Sequence, residues 1–139
     1  MPVDRKELQE LSKIRLQEAS ALLKLGLFDG AYYLAGYAVE CALKACIAKG
    51  TQRFDFPDRK RVESSYSHNL RELIKVAGLD EARLQHAERN PNFGSNWDAV
   101  VAWFEQSRYR RHLSETAELM LTAVGDKRHG VISWIKLQW

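Results

Sequence analysis

Residues 29–50 read DGAYYLAGYAVECALKACIAKG, and this stretch constrains the fold more than any other. Ala31, Ala35, Ala38, Ala42, Ala45 and Lys49 recur at alternating four- and three-residue steps, so a helix here carries a seam of methyl groups along one face. A smooth seam lets a neighbouring helix approach closely. Leu34, Val39, Cys41, Leu43, Cys46 and Ile47 make most of the remaining circumference apolar, which places this helix in the middle of a helical assembly. Asp29 suits its N-cap, and Gly50 suits a left-handed position just past its end. One strip differs. Tyr33, Tyr37, Glu40 and Lys44 line up opposite the seam, and Glu40 is the only carboxylate between Asp29 and Gly50.

The rest of the chain supplies partners for that helix. Residues 4–25 predict a first helix with Leu8, Leu11, Ile14 (or Arg15 by strict heptad spacing), Glu18 or Ala19, and Leu22 on its apolar face, ended by Gly26. The short link through Leu27 and Phe28 makes the two an antiparallel hairpin. Residues 50–67 break the pattern, holding Phe54, Phe56, Pro57 and the basic cluster Arg59, Lys60 and Arg61, which reads as a solvated loop. Ser67 is expected to cap a short helix over 68–77, closed by Gly78, and Asp80 to cap another turn. Residues 90–94 carry turn chemistry, and Ser95 with Asp98 approximates a capping box for a helix to about Gln106. Ser114 is expected to cap the last helix, with a kink or break between Gly125 and Gly130. Nothing alternates in the manner of a strand. The expected fold is all-α: one domain over 1–139, an antiparallel up-and-down bundle of four main helices plus one or two short ones.

Composition narrows the function classes. The 139 residues suit one domain with a substantial core, at 45% hydrophobic and 28% charged. No apolar run reaches membrane-spanning length, and the charged, amphipathic N-terminus is unlike a secretory signal. Cys41 and Cys46 fall on different faces of one helix and read as reduced core thiols, so a cytoplasmic location is expected. No Cys/His spacing resembles a zinc site, and no metal or cofactor is expected. The net charge of +3 is too small to name a partner, so its distribution matters more.

Residues 107–112, Ser-Arg-Tyr-Arg-Arg-His, form the most basic window. Arg108, Arg110, Arg111 and His112 are candidates for phosphate contact, with Tyr109 able to stack on a base. For catalysis the candidates are Arg108, His112 and His68, an imidazole acting as general base on a ribose hydroxyl while a guanidinium stabilises charge in the transition state. Glu40, with Lys44 one turn on, reads as a structural polar pair, and Glu40 is also placed to anchor Arg108 or His68. Trp103 and Trp139 fall outside the core stripes and are expected at a protein contact.

Three elements together resemble HEPN domains, the higher eukaryotes and prokaryotes nucleotide-binding family. They are Ala38, Glu40 and Lys44 within 31–45, then His68 with Leu70 and Leu73, and then Arg108 and Tyr109 before the last helix. The resemblance spans essentially the whole chain. It implies an all-α bundle that commonly forms a homodimer and often partners a nucleotidyltransferase in toxin–antitoxin or defence-type systems. It further implies either nucleotide or RNA binding without catalysis, or a metal-independent endoribonuclease that uses an Arg followed by a His with four to six residues between them. Here Arg108 and His112 are separated by three residues, whereas Arg61 and His68 are separated by six.

Overall fold

Ala31, Ala35, Ala38, Ala42 and Ala45 are all fully buried, and the helix that carries them, α2 (Phe28–Lys49), is the element most others touch. The computed structural model describes residues 3–51, 56 and 58–139. Phe54 and Pro57 of the middle connection lie outside the described residues. α1 (Arg5–Lys24) is α2's most extensive neighbour. It starts with a full capping box, in which Asp4 accepts from the Glu7 N–H at 2.9 Å and the Glu7 carboxylate accepts from the Asp4 N–H at 3.2 Å. Gly26, at φ +76°, reverses the chain between the two helices, a conformation that favours glycine.

The face of α1 turned to the seam keeps Ala19 of the expected stripe but departs from it at Ser12 and Ile14. Its fully buried positions are Ser12 and Ala19, whereas Ile14 is exposed. Small residues on α1 meet small residues on α2, and the Ser12 hydroxyl donates to the Ala38 carbonyl at 2.8 Å. Two further details of α2 differ from expectation. Its N-cap is Leu27, without a side-chain bond, so Asp29 lies inside the first turn. Gly50 is right-handed at φ −78°, and the helix end is completed by Arg61, which donates to the Ile47 carbonyl at 3.2 Å and to Thr51 Oγ1 at 2.7 Å.

That arginine belongs to α3 (Arg59–Ser65), so the expected loop at 59–61 is a short helix capped by Asp58. α4 (Leu70–Val76) is capped by Asn69 and not by Ser67, and lays Leu70, Leu73 and Ile74 against α2. Leu79, not Asp80, precedes α5 (Asp80–Arg89). The expected turn at 90–94 is the start of α6 (Pro91–Val101): Pro91 occupies the first helical position, where its missing N–H costs nothing, and Ser95 falls inside the helix. Phe93, Trp97, Val100 and Val101 are its buried stripe. α6 stops at Val101, and a 3₁₀ turn, Glu105–Tyr109, follows. α7 (Ser114–Gly125) is preceded by Leu113, so Ser114 is its first residue and not its cap.

The break expected after Gly125 is complete. Asp126 Oδ2 accepts from the N–H groups of Arg128 and His129, and α8 (Val131–Ile135) begins beyond Gly130. A Cβ on Gly130 would lie 2.3 Å from the Asp126 carbonyl oxygen, so this turn is closed too tightly for a side chain. All regular structure among the described residues is helical: two long helices and six shorter ones, in place of four main helices with one or two short ones. Among those residues no helix is long and apolar enough to cross a membrane.

Of the two tryptophans expected at a protein contact, Trp103 is used within the chain. Trp103 is 2% exposed and lies flat over Gly36, where a Cβ would come within 2.3 Å of the indole. Trp139 is fastened to α1, its carbonyl accepting from Arg5 Nε at 2.9 Å and Gln9 Nε2 at 2.8 Å.

Gly36→Ala is expected to lower stability by about 1–3 kcal/mol, because the Trp103 ring must shift, and Ala38→Leu by a similar amount through overpacking of the seam. Urea denaturation measures both. Burial pushes the Cys41 and Cys46 thiols from 9.0 up to about 11, and raises the Tyr32 and Tyr37 phenols as well. The folded state therefore holds these protons longer than the unfolded chain. Their stabilisation is fully present below the unfolded thiol value of 9.0 and is lost as pH rises through about 11. Denaturation midpoints should fall across that window, and a disulfide reagent at pH 8 should label the thiols only after unfolding.

Candidate functional site

The polar strip of α2 meets the 3₁₀ turn and the link between α3 and α4. Glu40 is 3% exposed, a buried carboxylate on an apolar helix. Its Oε2 lies 3.4 Å from Lys44 Nζ, the expected pair one turn on. Its Oε1 lies 2.9 Å from His68 Nδ1. A carboxylate only accepts, so Nδ1 carries the hydrogen and Nε2 faces outward. His68 is thus a long-range partner of α2 and not only a local hydrogen-bonder at a helix start. Arg108 does not reach Glu40.

Nε2 of His68 faces Glu105, 3.7 Å from Oε2, while the other oxygen of Glu105 is 3.8 Å from Arg108 Nη2. Of the catalytic candidates, His68 and Arg108 therefore share one carboxylate. His112 is elsewhere. Its ring stacks on Tyr32 with centroids 3.9 Å apart, and its Nε2 lies 3.3 Å from the Ser107 carbonyl. Arg61 is committed to the end of α2 at Ile47, about two helical turns from Glu40. The formal Arg61 and His68 spacing is therefore not a pair in space.

The basic segment is held at its C-terminal end. Asp29 Oδ1 accepts from the His112 backbone N–H, and Oδ2 lies 3.1 Å from Arg111 Nε. The arginines fan apart instead of bunching. Arg108 lies over the Tyr109 ring at 4.9 Å and Arg110 over the Phe104 ring at 4.9 Å, while the Arg111 side chain is 96% exposed. Tyr109 is 76% exposed and keeps an open face. Among the described residues no cluster of His, Cys, Asp or Glu could hold a metal ion.

Asp29, Tyr32 and Glu105 were not singled out as site residues by the sequence. Glu105 stands three residues before Arg108, a spacing that pairs charges on one helical turn. The signal is masked by the expectation that α6 runs on to Gln106. Tyr32 sits one residue away from the Tyr33 and Tyr37 strip, and only the fold carries His112 to it.

Comparison with protein-family models, with curated proteins and with solved structures finds no match.

The polar cluster predicts an asymmetry. His68→Ala leaves the Glu40 carboxylate buried with only the 3.4 Å contact to Lys44 and should cost about 1–3 kcal/mol. Arg108→Ala removes a loose contact with a partner that is itself 36% exposed, and should cost less stability than His68→Ala. Denaturation of the two variants side by side checks the order.

Proposed function

We propose that this chain is a HEPN-like binding and regulatory module that recognises RNA or nucleotide phosphate through Arg108, Tyr109, Arg110, Arg111 and His112. The observation that carries this reading is the exposed run of three arginines beside an open tyrosine face, fixed to α2 by Asp29. Guanidinium forks match phosphate oxygens, and Tyr109 offers a base a stacking surface. His112 contributes through its backbone and its stack on Tyr32, which stiffen the segment. In this reading the helices form an up-and-down bundle of the HEPN kind. The cytoplasmic chain works as a homodimer and partners a nucleotidyltransferase in a toxin–antitoxin or defence-type system. Leu27 and Leu113, both exposed, flank the bonded Asp29 and His112 and give the homodimer an apolar contact beside the basic segment.

A second reading, a metal-independent endoribonuclease, is favoured by one feature. With Nδ1 bonded to Glu40, neutral His68 presents Nε2 outward as a base, next to the carboxylate it shares with Arg108. RNA cleavage that persists in a chelator and is lost in His68→Ala, but not in His112→Ala, would favour it over pure binding.

The binding reading is tested by titrating RNA at several salt concentrations. Wild type should weaken steeply as salt rises, and Arg110→Ala/Arg111→Ala should bind less tightly with a slope flatter by about two. An unchanged affinity and slope in the double variant would make the segment a solvated loop. Light scattering at micromolar concentration should give a dimer mass; a monomer there removes the homodimer from the reading.

A further inference from the structure

We propose that Glu105 is a built-in stand-in for phosphate: its carboxylate occupies an anion position between Arg108 and His68, and a phosphate group of RNA or a nucleotide displaces it. This deepens the binding reading above and rests on it.

The two ends of His68 are held very differently. Nδ1 meets the buried Glu40 at 2.9 Å, a full hydrogen bond that fixes the ring. Nε2 meets Glu105 at 3.7 Å, beyond hydrogen-bond range. The other Glu105 oxygen meets Arg108 at 3.8 Å, equally loose. One carboxylate thus faces the Arg108 guanidinium with one oxygen and Nε2 of His68, a donor only in the imidazolium form, with the other, without closing on either.

All three side chains reach water: Glu105 at 36% exposure, His68 at 42% and Arg108 at 46%. Contacts so exposed are screened and weak, so turning Glu105 out to solvent costs little. Glu40 has no such freedom. A phosphate taking the vacated position accepts from the Arg108 fork and from Nε2 of His68 in its imidazolium form. Tyr109, next in the chain and under the Arg108 guanidinium, then lies beside the bound phosphate as a stacking face. Arg110 and Arg111 extend the same segment along a backbone.

The experiment uses the full chain with three probes: a labelled single-stranded RNA oligonucleotide, ATP and inorganic phosphate. Glu105→Gln keeps the side chain's shape and removes its charge; Glu105→Ala removes both. Each should bind RNA about three- to tenfold more tightly than wild type. The gain should vanish in Glu105→Gln/Arg108→Ala. Glu81→Gln, an exposed charge removed from α5, should stay within about twofold of wild type. A gain for RNA alone assigns the site to a backbone phosphate; a gain shared by ATP and inorganic phosphate assigns it to a free nucleotide.

Unchanged or weaker binding in both Glu105 variants overturns the inference, as does an equal gain in Glu81→Gln. If Glu105→Gln fails to tighten binding while Arg110→Ala/Arg111→Ala still weakens it, only this inference falls and the binding reading stands. If no form of the chain binds any probe, both fall.

Discussion

The close approach of α1 to α2 along the alanine seam is the contact on which the other elements depend. Five alanines buried without remainder present no side chain longer than a methyl, and α1 answers with Ser12 and Ala19. The Ser12 hydroxyl reaching a main-chain carbonyl at 2.8 Å shows how near the two backbones lie. Contacts of this kind are individually small and add up only when the surfaces match along several turns. Once α1 covers the seam, the larger side chains of α2 are left for α4, α7 and α8, and the strip with Glu40 is left for polar partners. The same economy of space recurs at Gly36, where the absence of a side chain admits the flat Trp103 ring. Trp103 in turn sits two residues before Glu105, so the 3₁₀ turn is positioned by an aromatic wedge and not by its own short helix.

Burial of Glu40 determines where the polar cluster assembles. A carboxylate removed from water is costly unless it is paired and hydrogen-bonded. The i,i+4 contact with Lys44, worth only about 0.2–0.5 kcal/mol on an exposed helix, is too weak for that. The 2.9 Å bond from His68 supplies what is missing. It also pins the link between α3 and α4 against α2, just where the 3₁₀ turn arrives. One buried charge therefore recruits a histidine from a distant part of the chain, and the exposed edge of that histidine becomes part of the surface cluster.

Much of this was legible in the sequence. The alanine spacing gave the centre of the fold, Gly26 the hairpin, and the Glu40 and Lys44 spacing their pair. Helix ends were less legible, for a physical reason. Asp29, Ser67, Ser95 and Ser114 all have capping chemistry, yet none caps the helix expected of it, because Leu27, Asn69, Asn90 and Leu113 occupy those cap positions. Local propensity cannot reveal that Asp29 has a stronger claim on it from residue 112, 83 positions away. Trp103 was misjudged because its stripe was extrapolated along a helix that ends at Val101, and the partner that hides it is a glycine, which carries no hydrophobic signal.

The two carboxylates that bracket the basic segment do different work. Asp29 accepts a backbone N–H, so removing it from Arg111 would also unfasten the chain at His112. Its position is set by the fold. Glu105 has no such backbone bond among the described residues and touches only two half-exposed side chains. Arg110 has an aromatic face and, among the described residues, no carboxylate within ion-pair range. The segment therefore runs from a fixed end at Arg111, through Arg110 held only by a ring, to an exchangeable contact at Arg108. An anion meeting such a segment gains most at Arg110, where no internal pair must be broken. At Arg108 a weak pair must break, and at Arg111 the anion competes with a carboxylate that cannot leave. A surface graded in this way leaves the end nearest Glu40 and His68 as the place where the proposed binding would exchange one anion for another.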